Sequence, residues 1–195
     1  MKFLPCLLPL VLLTQSCQNP QGYDQWQPTY GLRTAVYDDL TFSVNSLALA
    51  ERRDVKYKSI ELTAGATLTT PGTNRPIKRH FLGVRLGNGD MKQAGLTSDL
   101  VETSVGGMLY FDDGSKVIPY LSTFYTLTDT AAIAGLGNQG GIRLGAGIEI
   151  PFGSTFSATL GADYLVPIHD AKTSSGSVEV DMEGLAVRAG VLFTF

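Results

Sequence analysis

Apolar residues alternate with small or polar residues along most of the chain, and this pattern is clearest at the C-terminus. In residues 185–195 one face is apolar, formed by Leu185, Val187, Ala189, Val191, Phe193 and Phe195. The other face carries Ala186, Arg188, Gly190, Leu192 and Thr194. Because successive side chains of a β-strand point to opposite faces, this alternation predicts a strand with two unlike environments. An apolar face of this length is typical of a strand that faces lipid in a membrane barrel.

The same alternation recurs in segments of about ten residues, as expected for a membrane barrel. It predicts strands at 57–69, 77–87, 100–111, 116–127, 141–152, 155–166 and 180–195. Short turns at 70–76, 112–115 and 153–154 alternate with longer loops at 88–99, 128–140 and 167–179. Outer-membrane barrels have short periplasmic turns and longer outer loops.

If the C-terminus is periplasmic, an even number of strands requires an eighth strand before Tyr57. Residues 40–50 are the candidate, with a bulge or a late start left open because the alternation changes phase at Leu47 and Leu49. The predicted fold is therefore all-β: an eight-stranded antiparallel up-and-down transmembrane β-barrel over residues 40–195, with a polar, plugged interior.

The N-terminus is typical of an export signal. Lys2 precedes an apolar run at residues 3–13, and small residues lie before Cys17. The run is too short for a membrane helix, which needs about 20 residues. We interpret residues 1–16 as a signal peptide, with two alternatives for the cleaved end: a lipidated Cys17 or an ordinary signal-peptide cut at the same bond.

Composition limits the possible disulfides, binding partners and membrane-spanning structures of the mature protein. Cys6 and Cys17 both lie in or beside the leader, so the sequence predicts no disulfide in the mature domain. Loss of Lys2 changes the formal net charge from −3 to −4, which gives no basic surface for nucleic acid. After Leu13 no apolar run is long enough for a membrane helix, which leaves a closed barrel as the membrane-spanning structure. Residues 17–39 show neither helical nor strand periodicity, and we interpret them as a periplasmic tether.

Charged residues on the small and polar faces predict how the interior is filled. They are Glu61, Arg85, Glu102, Arg143, Glu149, Asp163 and Arg188. Glu61 with Arg85, and Asp163 with Arg188, lie at similar heights on neighbouring predicted strands. Because isolated charges are costly in a narrow lumen, we expect these charges to be paired. Eight strands leave an interior just wide enough for side chains to fill, so a plugged barrel is favoured over a small porin-like channel.

Aromatic residues on the apolar faces lie near the strand ends, where a membrane-interface girdle is expected. The predicted girdle consists of Phe111, Tyr125, Phe152, Phe156 and Tyr164, with Phe193 and Phe195 at the C-terminal end.

Residues 141–148, 156–164 and 191–195 resemble the small eight-stranded bacterial outer-membrane barrels of the OmpA/OmpX type. The resemblance extends over about residues 40–195 and rests on periodicity more than on fixed residues. It implies a location in the cell outer membrane and a monomer whose partners are outer-membrane lipids and the barrel assembly machinery. It also implies that Phe195, with Phe193 and Val191, forms the assembly signal.

The two histidines of the sequence bear on a possible enzyme activity. Some outer-membrane barrels modify lipids, but that chemistry needs a serine activated by a nearby histidine. His80 is predicted to face outward, and His169 lies in an outer loop near Ser174. No metal site, cofactor site or nucleotide fingerprint is predicted, and the protein is predicted not to be an enzyme.

A soluble or lipid-anchored lipocalin-like barrel is the remaining alternative. It would turn the apolar faces inward around a ligand. The Gly-x-Trp signature of that family is missing at Trp26, which follows Asp24-Gln25. We therefore predict a structural or surface-interaction role in envelope integrity or adhesion, with no extracellular ligand indicated by the sequence.

Overall fold

The computed structural model describes residues 25–46, 50–70, 75–89, 99–129, 138–169, 171–172 and 178–195. The strands within these residues are β1 (Gln25–Ser46), β2 (Ala50–Thr70), β3 (Arg75–Gly89), β4 (Asp99–Tyr110), β5 (Ile118–Asp129), β6 (Asn138–Phe152), β7 (Phe156–His169), β8 (Ala171–Lys172) and β9 (Val178–Thr194). The described residues contain no helix long and apolar enough to cross a membrane.

The long strands form a closed antiparallel sheet. Each of β1 to β6 pairs with the next strand, β7 pairs with β9, and β9 returns to pair with β1. The two-residue β8 pairs only near the start of β9, so the wall of the described barrel has eight strands. The predicted eight-stranded up-and-down barrel is confirmed.

The first strand begins earlier than the sequence analysis predicts. β1 starts at Gln25, so residues 25–39 belong to the barrel wall and their interpretation as a tether was wrong. The alternation there is diluted by Gln, Pro and Thr, which hides a strand pattern that starts with Trp26. The register shifts between Tyr37 and Leu40, an irregularity that the sequence did not predict. The phase change that the sequence indicated, at Leu47 and Leu49, lies outside the described residues. Residues 1–24, including the predicted signal peptide and Cys17, lie outside the described residues.

The C-terminus and the short turns lie at the same end of the barrel. The Phe195 amide donates to the Pro28 carbonyl at 3.0 Å, and the Thr194 amide donates to the Thr155 carbonyl at 2.8 Å. Gly114 and Gly153 have φ of 85° and 88°, a left-handed conformation that glycine adopts without steric cost. Since short turns mark the periplasmic side, this end is the periplasmic end.

The turn between β4 and β5 is hydrogen-bonded to the start of β3. Arg75 at the start of β3 donates to the carboxylate of Asp112 and to the carbonyl of Ser115, and the Gly114 amide donates to Asp112 Oδ1 at 2.9 Å. Desolvation raises the pKa of Asp112, but the hydrogen bonds from Arg75 and Gly114 outweigh it and hold that pKa below its ordinary value. These hydrogen bonds fix the position of the β4–β5 turn relative to β3.

The two faces of the wall have opposite chemistry. Most outward side chains are apolar, and the larger ones are exposed, with exposed fractions of 60% for Leu62, 53% for Leu144 and 57% for Val187. The inward face is buried and includes many threonine, serine, arginine and carboxylate side chains. An apolar outer band around a polar interior is the arrangement that a barrel surrounded by hydrocarbon requires.

Candidate functional site

The buried charged residues of the described chain all lie in the lumen of the barrel. The structure places the seven predicted interior charges there, each at most 4% exposed: Glu61, Arg85, Glu102, Arg143, Glu149, Asp163 and Arg188. Two further buried arginines, Arg33 and Arg79, complete the set in the described part of the chain. Arg33 was missed because its segment was interpreted as a tether, and Arg79 was missed although it shares the inward face of Arg85.

Arg143 lies at the centre of the larger charge cluster. Its Nη2 is 2.9 Å from Glu61 Oε1 and 3.2 Å from Glu102 Oε1, and its Nη1 is 3.4 Å from Asp163 Oδ2. Arg143 is on β6, whereas Glu61 and Glu102 are on β2 and β4, so the guanidinium reaches across the lumen instead of along the wall. One fully buried cation therefore joins three carboxylates from different strands.

The two predicted pairs belong to the same cluster. Arg85 Nη2 lies 3.5 Å from Glu61 Oε2, and the two residues are direct cross-strand partners. Arg188 Nε lies 3.0 Å from Asp163 Oδ2, and its Nη2 donates to Ser122 Oγ at 3.2 Å. Both contacts follow from the heights predicted from the sequence.

Aromatic rings contact the guanidinium groups of Arg33 and Arg143. The Arg33 guanidinium carbon lies 5.1 Å from the ring centroid of Phe81 and 5.5 Å from that of Phe124, and its Nε is 4.0 Å from Glu61 Oε2. The Arg143 guanidinium lies 5.2 Å from the Phe124 centroid. Such cation–π contacts strengthen when the cation is removed from water.

A second charge cluster lies nearer the periplasmic end. Arg79 forms a two-pronged ion pair with Glu149, with Nη2 2.9 Å from Oε1. Arg79 also donates to Tyr110 Oη at 2.6 Å and to Thr67 Oγ1 at 2.7 Å. This two-pronged geometry between Arg and a carboxylate is among the stronger hydrogen-bonded arrangements in proteins. β2, β3, β4 and β6 are joined across the lumen at this level.

Glycines make room for the large side chains of the lumen. Phe81 is the cross-strand partner of both Gly65 and Gly106, and Gly106 is also the partner of Phe124. Tyr120 is the partner of Gly147, and its Oη lies beside Gly161. Large residues opposite glycines let the inward face fill a narrow interior, so the lumen is packed at these levels.

The predicted girdle residues lie on the outer surface, the phenylalanines at the strand ends and Tyr125 and Tyr164 within β5 and β7. Phe156 stacks between Phe152 and Phe193, with ring centroids 5.7 and 5.3 Å away. Phe195 is 66% exposed, and its ring lies 6.3 Å from that of Tyr30. Phe111 is exposed beside the turn after β4, and Tyr125 and Tyr164 are exposed on β5 and β7. Val191, partly exposed, shares the outward row with Phe193 and Phe195.

The structure resembles solved outer-membrane barrels. Neisserial surface protein A, NspA, matches with a TM-score of 0.54 at 16% identity, covering 86% of this chain and 97% of the other. The outer-membrane protein OprG from Pseudomonas aeruginosa matches with a TM-score of 0.50 at 14% identity, covering 87% and 95%. No protein-family model and no curated protein matches the sequence.

The fold and the opposed faces define this chain as a small eight-stranded antiparallel β-barrel with an apolar outer surface, which is the fold of these outer-membrane proteins. The lipocalin-like alternative is wrong, because the structure turns Leu144 and Leu160 outward and Arg143 and Asp163 inward. The two histidines lie apart from the lumen clusters: His80 is on the outer surface, with its ring centroid 5.6 Å from that of Trp26, and His169 is exposed at the end of β7.

Proposed function

We propose that this protein is a non-conducting, non-enzymatic barrel with a structural or surface-interaction role in the outer membrane, such as envelope integrity or adhesion. The observation that carries the proposal is the pair of charge clusters across the lumen. Side chains from β1, β2, β3, β4, β6, β7 and β9 meet in ion pairs whose members are almost completely buried. Ions passing through would have to displace these paired groups.

Breaking such contacts is costly. Removing one partner of a buried ion pair leaves an uncompensated charge, at a cost of about 3–5 kcal/mol. Below the larger cluster, Arg79, Glu149 and Tyr110 occupy the periplasmic end. Two successive obstructions favour a plug over a pore.

The shape of the barrel supports a surface role. The last β2–β3 pair is Tyr57 with Gly89, but β1 and β2 continue to pair as far as Asn45 with Ala50. β9 follows β1 outward as far as Val178, opposite Ser46. A sheet formed by β1, β2 and β9 therefore extends on the side opposite the short turns, which is the extracellular side of a barrel with periplasmic short turns.

Planar-bilayer recording tests the closed lumen. We expect the folded mature protein to give no steady single-channel current, because paired charges block the path. Folding is verified on the same samples by heat-modifiable gel mobility, so silence is not mistaken for failure to fold. Reproducible channels in samples that show the folded gel band would contradict the proposal and favour the porin-like alternative.

A further inference from the structure

A depression lies on the lipid-facing surface where β4 and β5 carry their smallest outward residues. Gly107 and Thr123 are cross-strand partners and form its floor. The adjacent outward pairs of the same ladder are larger: Leu109 with Leu121 on the periplasmic side, and Val105 with Tyr125 on the other side. The resulting groove has a volume of about 750 Å³.

The neighbouring strands supply the walls of the groove. His80 on β3 is the partner of Gly107, and Leu144 on β6 is the partner of Thr123. A Cβ added at Gly107 would lie 2.6 Å from the Arg79 carbonyl oxygen. The close approach of β3 therefore excludes a side chain at this position, and the chain leaves the groove unfilled.

Lys78 lies at the periplasmic edge of the groove, with its ammonium group over Trp26 of β1, on the side of β3 away from β4. Lys78 lines the groove and is the cross-strand partner of Leu109, three residues after the start of β3 at Arg75. Its Nζ lies 5.6 Å from the ring centroid of Trp26. Tryptophan is enriched at the level of lipid headgroups. A lysine stem covers apolar surface while its ammonium group reaches the interface.

We propose that this groove is a binding site for an anionic phospholipid of the periplasmic leaflet. One acyl chain would occupy the space over Gly107 and Thr123, and the headgroup phosphate would contact Lys78. The groove volume falls within the range of ligand pockets, about 300–1,000 Å³. The short turns assign this end of the barrel to the periplasmic side, where the membrane leaflet consists of phospholipid.

Native mass spectrometry of the folded mature protein tests the proposal. The protein is incubated in detergent with equal amounts of phosphatidylglycerol and phosphatidylcholine, and the retained lipid is counted. We expect about fivefold preference for phosphatidylglycerol, since a basic residue near a membrane surface contributes about that factor. Lys78→Gln should bring the ratio close to one. Thr123→Phe, which fills the groove, should remove the retained phosphatidylglycerol.

Matched variants separate this site from general lipid contact. Lys58→Gln removes an exposed outward lysine far from the groove, and Thr103→Phe adds a ring elsewhere on the outward face of β4; neither should change the ratio. Equal retention of the two lipids by the unmodified protein would overturn the proposal. Equal losses of retained phosphatidylglycerol in Lys58→Gln and Lys78→Gln, or unchanged retention in Thr123→Phe, would also overturn it. A dimer that Thr123→Phe abolishes would overturn it as well, since the dimer would identify a second copy of the chain as the occupant.

Discussion

Replacing Arg143 with methionine is expected to lower the free energy of unfolding by about 3–5 kcal/mol, the cost of breaking a buried ion pair. Arg143 is fully buried and contacts Glu61, Glu102 and Asp163. Methionine fills part of the space but leaves these carboxylates with less compensating charge. Arg85 also lies near these three carboxylates, but at the longer distances of 3.5, 3.6 and 4.0 Å, so the larger loss is expected at Arg143.

The measurement is urea unfolding in lipid vesicles, followed by the fluorescence of Trp26, the single tryptophan of the sequence. Lys58→Met is the matched control, because Lys58 lies on the outward face, and it should change the free energy by less than about 0.5 kcal/mol. Adding Glu102→Gln to Arg143→Met should restore part of the loss, since it removes one uncompensated charge. If Arg143→Met costs no more than Lys58→Met, the lumen cluster does not stabilise the barrel.

Replacing Gly106 with alanine is expected to cost about 3 kcal/mol, the upper part of the usual range for overpacking. A Cβ at this position would lie 2.1 Å from the Thr123 carbonyl oxygen and 2.6 Å from the Phe124 Cα. Both contacts involve the backbone of β5, which cannot move aside as the end of a flexible side chain can. The β4–β5 pairing would have to shift.

Gly140→Ala provides a matched comparison for this prediction. The nearest atoms to a Cβ at Gly140 are Tyr125 Oη at 3.2 Å and His169 Cβ at 3.3 Å, and both belong to exposed side chains. We expect this variant to fold normally and to lose less than about 1 kcal/mol. The folded fraction from heat-modifiable gels and the urea midpoint compare the two variants. Equal behaviour would show that the Gly106 contact is not limiting.

The sequence predicts the barrel well where its alternation is strong. In β6 and β7 the apolar and small residues alternate clearly, and the turn at Gly153 separates them, so both strands and their faces could be assigned. The inward position of Arg143 and Asp163 follows directly from this alternation. Period-two patterning decides which face a residue occupies, and the face decides whether it meets lipid or the lumen.

The first part of β1 could not be predicted with the same rules. Its outward row begins with Trp26 and continues through Tyr30 and Leu32, but intervening proline and threonine weaken the contrast between the faces. Arg33 was missed for this reason, and with it the stacking on Phe81 and Phe124. Contact with the neighbouring strands fixes β1: Leu32 is the partner of both Leu62 and Val191.

Contacts between side chains on opposite sides of the lumen also could not be predicted from the sequence. Heights on adjacent strands identify neighbours along the wall, such as Glu61 with Arg85. They do not show that Arg143 reaches Glu61 from the opposite side, or that Arg79 reaches Glu149. These contacts depend on the curvature of the closed sheet and on the length of the arginine side chain.

The orientation of the two faces is tested most directly by electron paramagnetic resonance of spin labels. In a chain without its native cysteines, labels are placed at Leu144, at Leu160 and, as an aqueous control, at Asp113 in the exposed turn. After refolding into lipid vesicles, the labels at Leu144 and Leu160 should collide often with dissolved oxygen and rarely with a water-soluble nickel complex, and the label at Asp113 should show the opposite. Ready access of the nickel complex to Leu144 and Leu160 would contradict a lipid-facing apolar surface.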